Sequence, residues 1–200
     1  MTVRLNLRSS GRAKSGAPLN SSIVSRLSFD MRNPIIREEQ VEDYASVRAV
    51  NERAFGRRDE ADLVEALRRE GASVIALVAE RAGEVVGHIL FSPVVTEVGS
   101  GKRLLGLAPM AVVPPFQRQG IGSQLVRLGL GRCAAAGYDG VVVLGHPEYY
   151  SKFGFAPAHL LGLHGEYDVP PEAFMALELP LHSLTGVSGL VRYHAAFANV

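Results

Sequence analysis

Gln117-Arg118-Gln119-Gly120-Ile121-Gly122 sits between an apolar run, Leu104-Leu105-Gly106-Leu107-Ala108-Pro109-Met110-Ala111-Val112-Val113, and a helical pattern. A strand that passes through a short glycine-containing turn into a helix gathers several backbone N–H groups at one point. The partial positive charge of the helix N-terminus falls at the same point. Such a turn binds anions, phosphate in particular. Gly120 and Gly122 let the backbone approach an anion with no Cβ in the way. The stretch is not a dinucleotide fingerprint, because Leu125 stands where a third glycine belongs. Neither a GxxxxGK[ST] phosphate loop nor a G-x-S-x-G nucleophile turn occurs in the chain.

Outward from that turn the pattern predicts a mixed α/β fold. Ile35-Ile36-Arg37 reads as a first strand. Glu38 to Phe55 carries apolar residues near helical spacing and ends at Gly56. Asp59 to Arg69 predicts a second helix with Asp59 as its N-cap. Arg57-Arg58 and Arg68-Arg69 read as solvated helix ends. Three strands follow, Ser73 to Glu80, Glu84 to Val95 and Leu104 to Val113. Their short connections, one of them the polar stretch 97–102, imply an antiparallel meander. The helix after the turn runs from Gly120 to about Ala136, with Ile121, Leu125, Leu128 and Cys133 on or near its buried stripe. Val141-Val142-Val143-Leu144 is uniformly apolar, as for a strand buried on both faces. Strand, crossover helix and strand make a parallel βαβ unit. A short helix from Glu148 to Lys152 and strands at Met175 to Leu179 and Val187 to Tyr193 complete the pattern.

Composition narrows the classes. Two hundred residues with 47% apolar content suit one domain, and a net charge of +1 gives no general reason to bind nucleic acid or a membrane surface. Arg4, Arg8, Arg12, Lys14 and Arg26 against Asp30 put +4 on residues 1–30, which leaves −3 on the rest. Residues 1–33 are expected to be a disordered or non-native extension ahead of a domain at 34–200; a transit-type targeting segment is the alternative. Cys133 stands alone, so no internal disulfide forms, and a reducing, cytoplasmic setting is expected. Cys133 itself reads as a small buried hydrophobe. The six histidines show no metal-ligand spacing, and no metal is expected.

With these residues in hand, a family resemblance is visible. The hexapeptide 117–122 is similar to the Q/R-x-x-G-x-G/A signature of the GNAT (Gcn5-related) N-acetyltransferases. The block from Leu144 to Phe155, with Tyr150 four residues before Gly154, resembles a bacterial subgroup of YhbS-like predicted acetyltransferases. So does Val169-Pro170-Pro171-Glu172-Ala173-Phe174 with Leu177-Glu178-Leu179. The resemblance implies the GNAT fold, in which a mostly antiparallel twisted sheet splays open around the cofactor. It implies acetyl-CoA as cosubstrate, with the diphosphate on the turn of Gln117, Arg118, Gln119, Gly120, Ile121, Gly122 and Ser123. The pantetheine arm would pair beside Ala111, Val112 and Val113, and either the Met110 carbonyl or nearby N–H groups would polarise or position the thioester. It implies direct attack on the thioester by a primary amine of a small molecule or peptide. Tyr150 is then the general acid, and Glu148 and His146 are candidates for the base or for lining the site. Many family members carry an Asn where this chain has Val143. A non-catalytic acyl-CoA-binding or regulatory module is the alternative reading. Monomer and homodimer both remain open.

Overall fold

A computed structural model describes residues 33–98 and 101–199. All but the last residue of the expected N-terminal extension therefore lies outside the described residues. Strands β1 (Ile35–Glu38), β2 (Ile75–Arg81), β3 (Glu84–Val98) and β4 (Leu104–Val112) pair in that order, each antiparallel to the last. Helices α1 (Tyr44–Phe55) and α2 (Asp59–Arg69) lie between β1 and β2 in sequence. Helix α3 (Ile121–Ala135) crosses from β4 to β5 (Gly140–Leu144), which is parallel to β4. After the short α4 (Pro147–Tyr150) come β6 (Ala156–Pro157), β7 (Leu163–Gly165), β8 (Phe174–Glu178) and β9 (Ser188–Arg192). β8 flanks β5 antiparallel, with β6 outside it. β9 pairs with the far end of β3 and with β7. This is the mixed, mostly antiparallel sheet with one parallel βαβ unit that the sequence predicts.

Alternation along the strands explains why the sheet is covered on both sides. Leu77, Ala79, Ile89 and Phe91 share a core with Ile121, Leu125, Val126 and Cys133 of α3. Val78 and Leu90, one residue out of step, pack with Val47 of α1 and Leu63, Val64 and Leu67 of α2. Successive strand side chains point to opposite faces, so strands apolar at every position require helices above and below.

Several expectations need correction. The first helix starts at Tyr44 rather than at Glu38, because Val41–Asp43 forms a 3-10 turn. Gln40 and Asp43 cap that turn reciprocally, and Arg37 grips the Asp43 carboxylate through two N–H groups at 2.6 and 2.8 Å. Arg58 occupies the N-cap position of α2, and Asp59 is its first helical residue. Arg68 is not a solvated helix end: its guanidinium is buried against Glu39 and stacks over Tyr44. Leu128 is 37% exposed, and Val126 and Leu130 take its place on the buried stripe. β3 continues three residues past Val95 because β9 gives its end a partner.

The feature that creates a site is where β4 and β5 part. They pair over only three positions, Leu104 with Gly140, Leu105 with Val141 and Gly106 with Val142. β4 continues to Val112 joined to β3 alone. At the parting point Leu107 faces Phe91 and Met110 faces Ile89, so Ala108 and Pro109 together oppose Leu90. That is a β-bulge, and Pro109 has no N–H to give to a ladder.

Candidate active site

Ladder parity decides which backbone groups of β4 face the opening. The Val113 N–H donates to the Val86 carbonyl at 3.0 Å, and Val112 sits opposite Gly87. In an antiparallel pair, hydrogen-bonded and non-hydrogen-bonded positions alternate. Ala111 and Val113 therefore direct their polar backbone groups at β3. Met110 and Val112 direct theirs across the opening. The Val112 carbonyl is held by the Gln117 side-chain amide at 2.8 Å, which leaves the Val112 N–H and both Met110 groups facing the opening. Sequence alone names the segment but not this parity.

The turn that follows is braced from outside. Gln119 donates to the Pro115 carbonyl at 2.9 Å and accepts from Arg81 at 2.7 Å. Arg118 and Gly120 both adopt positive φ, 58° and 85°. Gly120 closes the first turn of α3 by accepting from the Gln124 N–H at 3.1 Å. The first-turn amides of Ile121, Gly122 and Ser123 have no acceptor within the helix and project from its positive end. Ile121 contributes only its backbone, since its side chain is buried in the core. A Cβ on Gly122 would lie 2.9 Å from the Tyr149 hydroxyl and 3.2 Å from the Met110 sulfur, so glycine here keeps a passage open. The resulting cavity of about 460 Å³ is lined by Met110, Val112, Arg118, Gly122, Ser123 and Tyr149, with Lys152 at its edge. Sequence reasoning leaves Tyr149 as a packing or wall residue and does not single out Lys152, yet both line this cavity. Tyr149 is tied to Ser123 by a side-chain hydrogen bond, and burial raises its phenol above the usual tyrosine value.

Across Met110 lies a second cavity, also about 460 Å³. Tyr150 lines it and is 8% exposed. Its ring rests on Gly145, where a Cβ would come within 2.4 Å of it. Burial, and then the neighbouring Tyr149, raise the Tyr150 phenol, so it carries its proton at neutral pH. The same lining holds residues with no sequence signal: Glu60 from α2 and Tyr193 just past β9. Glu60 is 6% exposed and accepts from Arg57. The Tyr193 hydroxyl is buried without a hydrogen-bond partner. His146 and Glu148 are both exposed, and neither lines either cavity; His146 borders a shallow groove with Val169 and Pro170. Val143 is buried in the core rather than facing the opening. Cys133 is buried and its thiol is pushed up to about 12.

The model of the GNAT acetyltransferase family matches residues 35–155, more than half of the chain. The chain belongs to the GNAT acetyltransferase family. A curated relative, the uncharacterized N-acetyltransferase YhbS of Escherichia coli K12, is 38% identical over 164 residues, which is 82% of this GNAT chain and 98% of the relative. The solved structure of Escherichia coli YhbS in complex with CoA superposes with a TM-score of 0.78 at 37% identity, covering 83% of this chain and 92% of that one. A GNAT acetyltransferase from Brucella melitensis, solved with acetyl-CoA, gives a TM-score of 0.69 at 37% identity and covers 83% and 99%. Among the described residues of this GNAT enzyme, no cluster of three His, Cys, Asp or Glu is placed to hold a metal ion. Among the same residues, no helix is long and apolar enough to cross a membrane.

Proposed function

We propose that the enzyme transfers an acetyl group from acetyl-CoA to a primary amine, with the thioester in the slot where β4 and β5 part. The observation that carries this reading is the sequence of groups along one edge. Open backbone positions at Met110 and Val112 lead to the free amides at the mouth of α3, and Tyr150 stands beside them. The chemistry of that edge fits the cosubstrate. An amide-bearing arm pairs with an unpaired strand edge, and a diphosphate suits first-turn amides flanked by Arg118 and Lys152. The relatives solved with CoA and with acetyl-CoA support the same assignment.

When bound, the thioester supplies the acetyl group and a thiolate leaving group. This chain's residues do the rest. Met110 and Val112 align the arm, and the turn anchors its far end. Tyr150, protonated at neutral pH, delivers a proton to the departing sulfur. A side chain that holds both reactants in register contributes by orientation as much as by proton transfer.

The test is release of free thiol from acetyl-CoA in the presence of an amine panel, with calorimetry of CoA binding in parallel. Gly120→Trp is expected to abolish the binding heat while the protein stays folded. Tyr150→Phe is expected to lower kcat by about 100-fold with CoA affinity unchanged. Full activity in Tyr150→Phe would remove the acid role. Binding without turnover on any amine would favour an acyl-CoA-binding module instead.

A further inference from the structure

The acceptor cavity carries a charge arrangement that the transfer reaction alone does not require. Its walls are largely apolar: Phe55, Leu63, Leu107 and Phe197 contribute, beside Tyr150 and Tyr193. Arg57 and Glu60 are the charged residues on its lining among the described residues, and they are unequal. The Arg57 side chain is 53% exposed and is shared between Asp59 and Glu60, whereas the Glu60 side chain is 8% exposed. Both oxygens of the buried Glu60 carboxylate accept from the half-exposed Arg57 guanidinium. Water screens the exposed Arg57 half of the pair more than the buried carboxylate. Tyr193 belongs to the same lining, and its hydroxyl is buried and unpartnered, with Tyr150 and Tyr167 as near neighbours. A buried hydroxyl left without a partner costs stability, and a ligand that satisfies it recovers that cost.

Resting on the acetyltransferase reading above, we propose that the acceptor is a small primary monoamine with an apolar, aryl- or alkyl-type body, and that Glu60 and Tyr193 receive its ammonium group. An ammonium has three N–H donors and no acceptor, which matches a lining that offers a carboxylate and the phenolic oxygens of Tyr193 and Tyr150. The aromatic walls take the apolar body. A second ammonium, as in a polyamine, would meet those apolar walls at a desolvation cost. A carboxylate next to the amine, as in a free amino acid, would meet Glu60 with no unshared cation on the lining to answer it. Protons balance as follows. Glu60 takes one proton from the ammonium and releases it to solvent once the product has left. The freed lone pair forms the C–N bond as the C–S bond breaks. The sulfur takes the Tyr150 proton, and the second nitrogen proton, shed on amide formation, restores Tyr150.

The experiment uses the full chain and three probes: 2-phenylethylamine, phenylalanine and spermidine. Calorimetric titration of each into CoA-saturated protein gives binding, and thiol release from acetyl-CoA gives turnover. 2-Phenylethylamine is expected to bind and to turn over at least tenfold better in kcat/KM than either other probe. Glu60→Gln is expected to weaken its binding and raise its KM at least tenfold, with the KM for acetyl-CoA unchanged. Tyr193→Phe is expected to weaken its binding about threefold to tenfold. A preference for spermidine or phenylalanine overturns the proposal, as does a Glu60→Gln variant that binds 2-phenylethylamine like the parent. Both results leave the acetyltransferase reading standing. Loss of CoA binding heat in the unmodified protein would sink that reading and this inference together.

Discussion

Each of the two tyrosines at the opening rests on a glycine. The Tyr150 ring covers Gly145 at the end of β5, and the Tyr193 ring covers Gly106 at the last β4–β5 pair; a Cβ would come within 2.4 and 2.5 Å of them. Neither glycine needs positive φ, so the requirement is for room alone. Gly145→Ala is therefore expected to push the Tyr150 ring off its seat while the backbone stays in place. Steady-state kinetics should show kcat falling by about tenfold or more with the KM for acetyl-CoA little changed, since small displacements of a positioned acid are costly. An unaltered kcat would mean that the ring has another place to stand. The signature glycines announce themselves in sequence because they fall inside a dense local motif. Gly106 and Gly145 do not, because the rings they receive arrive from 87 and 5 residues away, and the first of these contacts exists only in three dimensions. Glu60 hides for a similar reason. Asp59-Glu60-Ala61-Asp62 reads as a charged first turn, and only packing shows that one of its three acids is buried.

Among the elements, α3 packs tightly onto the sheet at Gly129. A Cβ there would lie 2.5 and 2.7 Å from the Phe91 ring, which is fully buried and has nowhere to retreat. Alanine would ordinarily gain about 1 kcal/mol over glycine inside a helix. Overpacking a filled core costs about 1–3 kcal/mol, and here it wins. Gly129→Ala is expected to lower stability by about 1–2 kcal/mol in urea unfolding, and Phe91→Leu in the same chain should return part of that loss. A stabilised single variant would show that the helix can lift away freely. The meander, the crossover helix and the buried β5 were legible because alternation and 3.6-residue periodicity are local signals. The parting of β4 from β5 was implied by family resemblance and hinted at by Pro109, but its extent was not readable. Pairing length depends on which strand lies next door. The late strands show the same limit. A strand near 187–193 was visible, whereas its partners, the far end of β3 and the tripeptide β7, were not.

At the scale of the whole molecule, β1, β3, α1 and α2 meet around a buried polar cluster away from both cavities. His88 is fully buried, its Nε2 facing the Glu39 carboxylate at 3.4 Å and its Nδ1 meeting the Asn51 amide at 3.3 Å. Arg68 holds the other oxygen of Glu39. Asn51 also donates to the Val47 carbonyl at 2.9 Å, which fits a neutral ring that accepts at Nδ1 and carries its proton at Nε2. Burial depresses the His88 pKa below its ordinary value of about 6.5, outweighing the pull of Glu39. Above that value His88 is neutral in both folded and unfolded chains, and it has no effect on stability. Below it, the unfolded chain binds a proton that the folded one refuses, so stability falls as pH falls, by up to about 1.4 kcal/mol per pH unit until the depressed value is reached. Urea midpoints at pH 7.5 and 5.5 should fall more in the parent than in His88→Gln, and equal falls would exclude His88 as the source. The fold also divides its labour along the chain. The groups proposed for the cofactor edge end at Lys152, inside the span 35–155 that the family model matches, while Tyr167, Tyr193 and Phe197 of the second cavity come from beyond it. The proposed acceptor cavity is therefore composite: its carboxylate, Glu60, belongs to the matched span, and part of its aromatic wall to the chain beyond. Exchanging only the segment after β8, which leaves the β5–β8 pairing intact, is expected to change how an amine's apolar body is received while Glu60 and the grip on the nucleotide stay as they were.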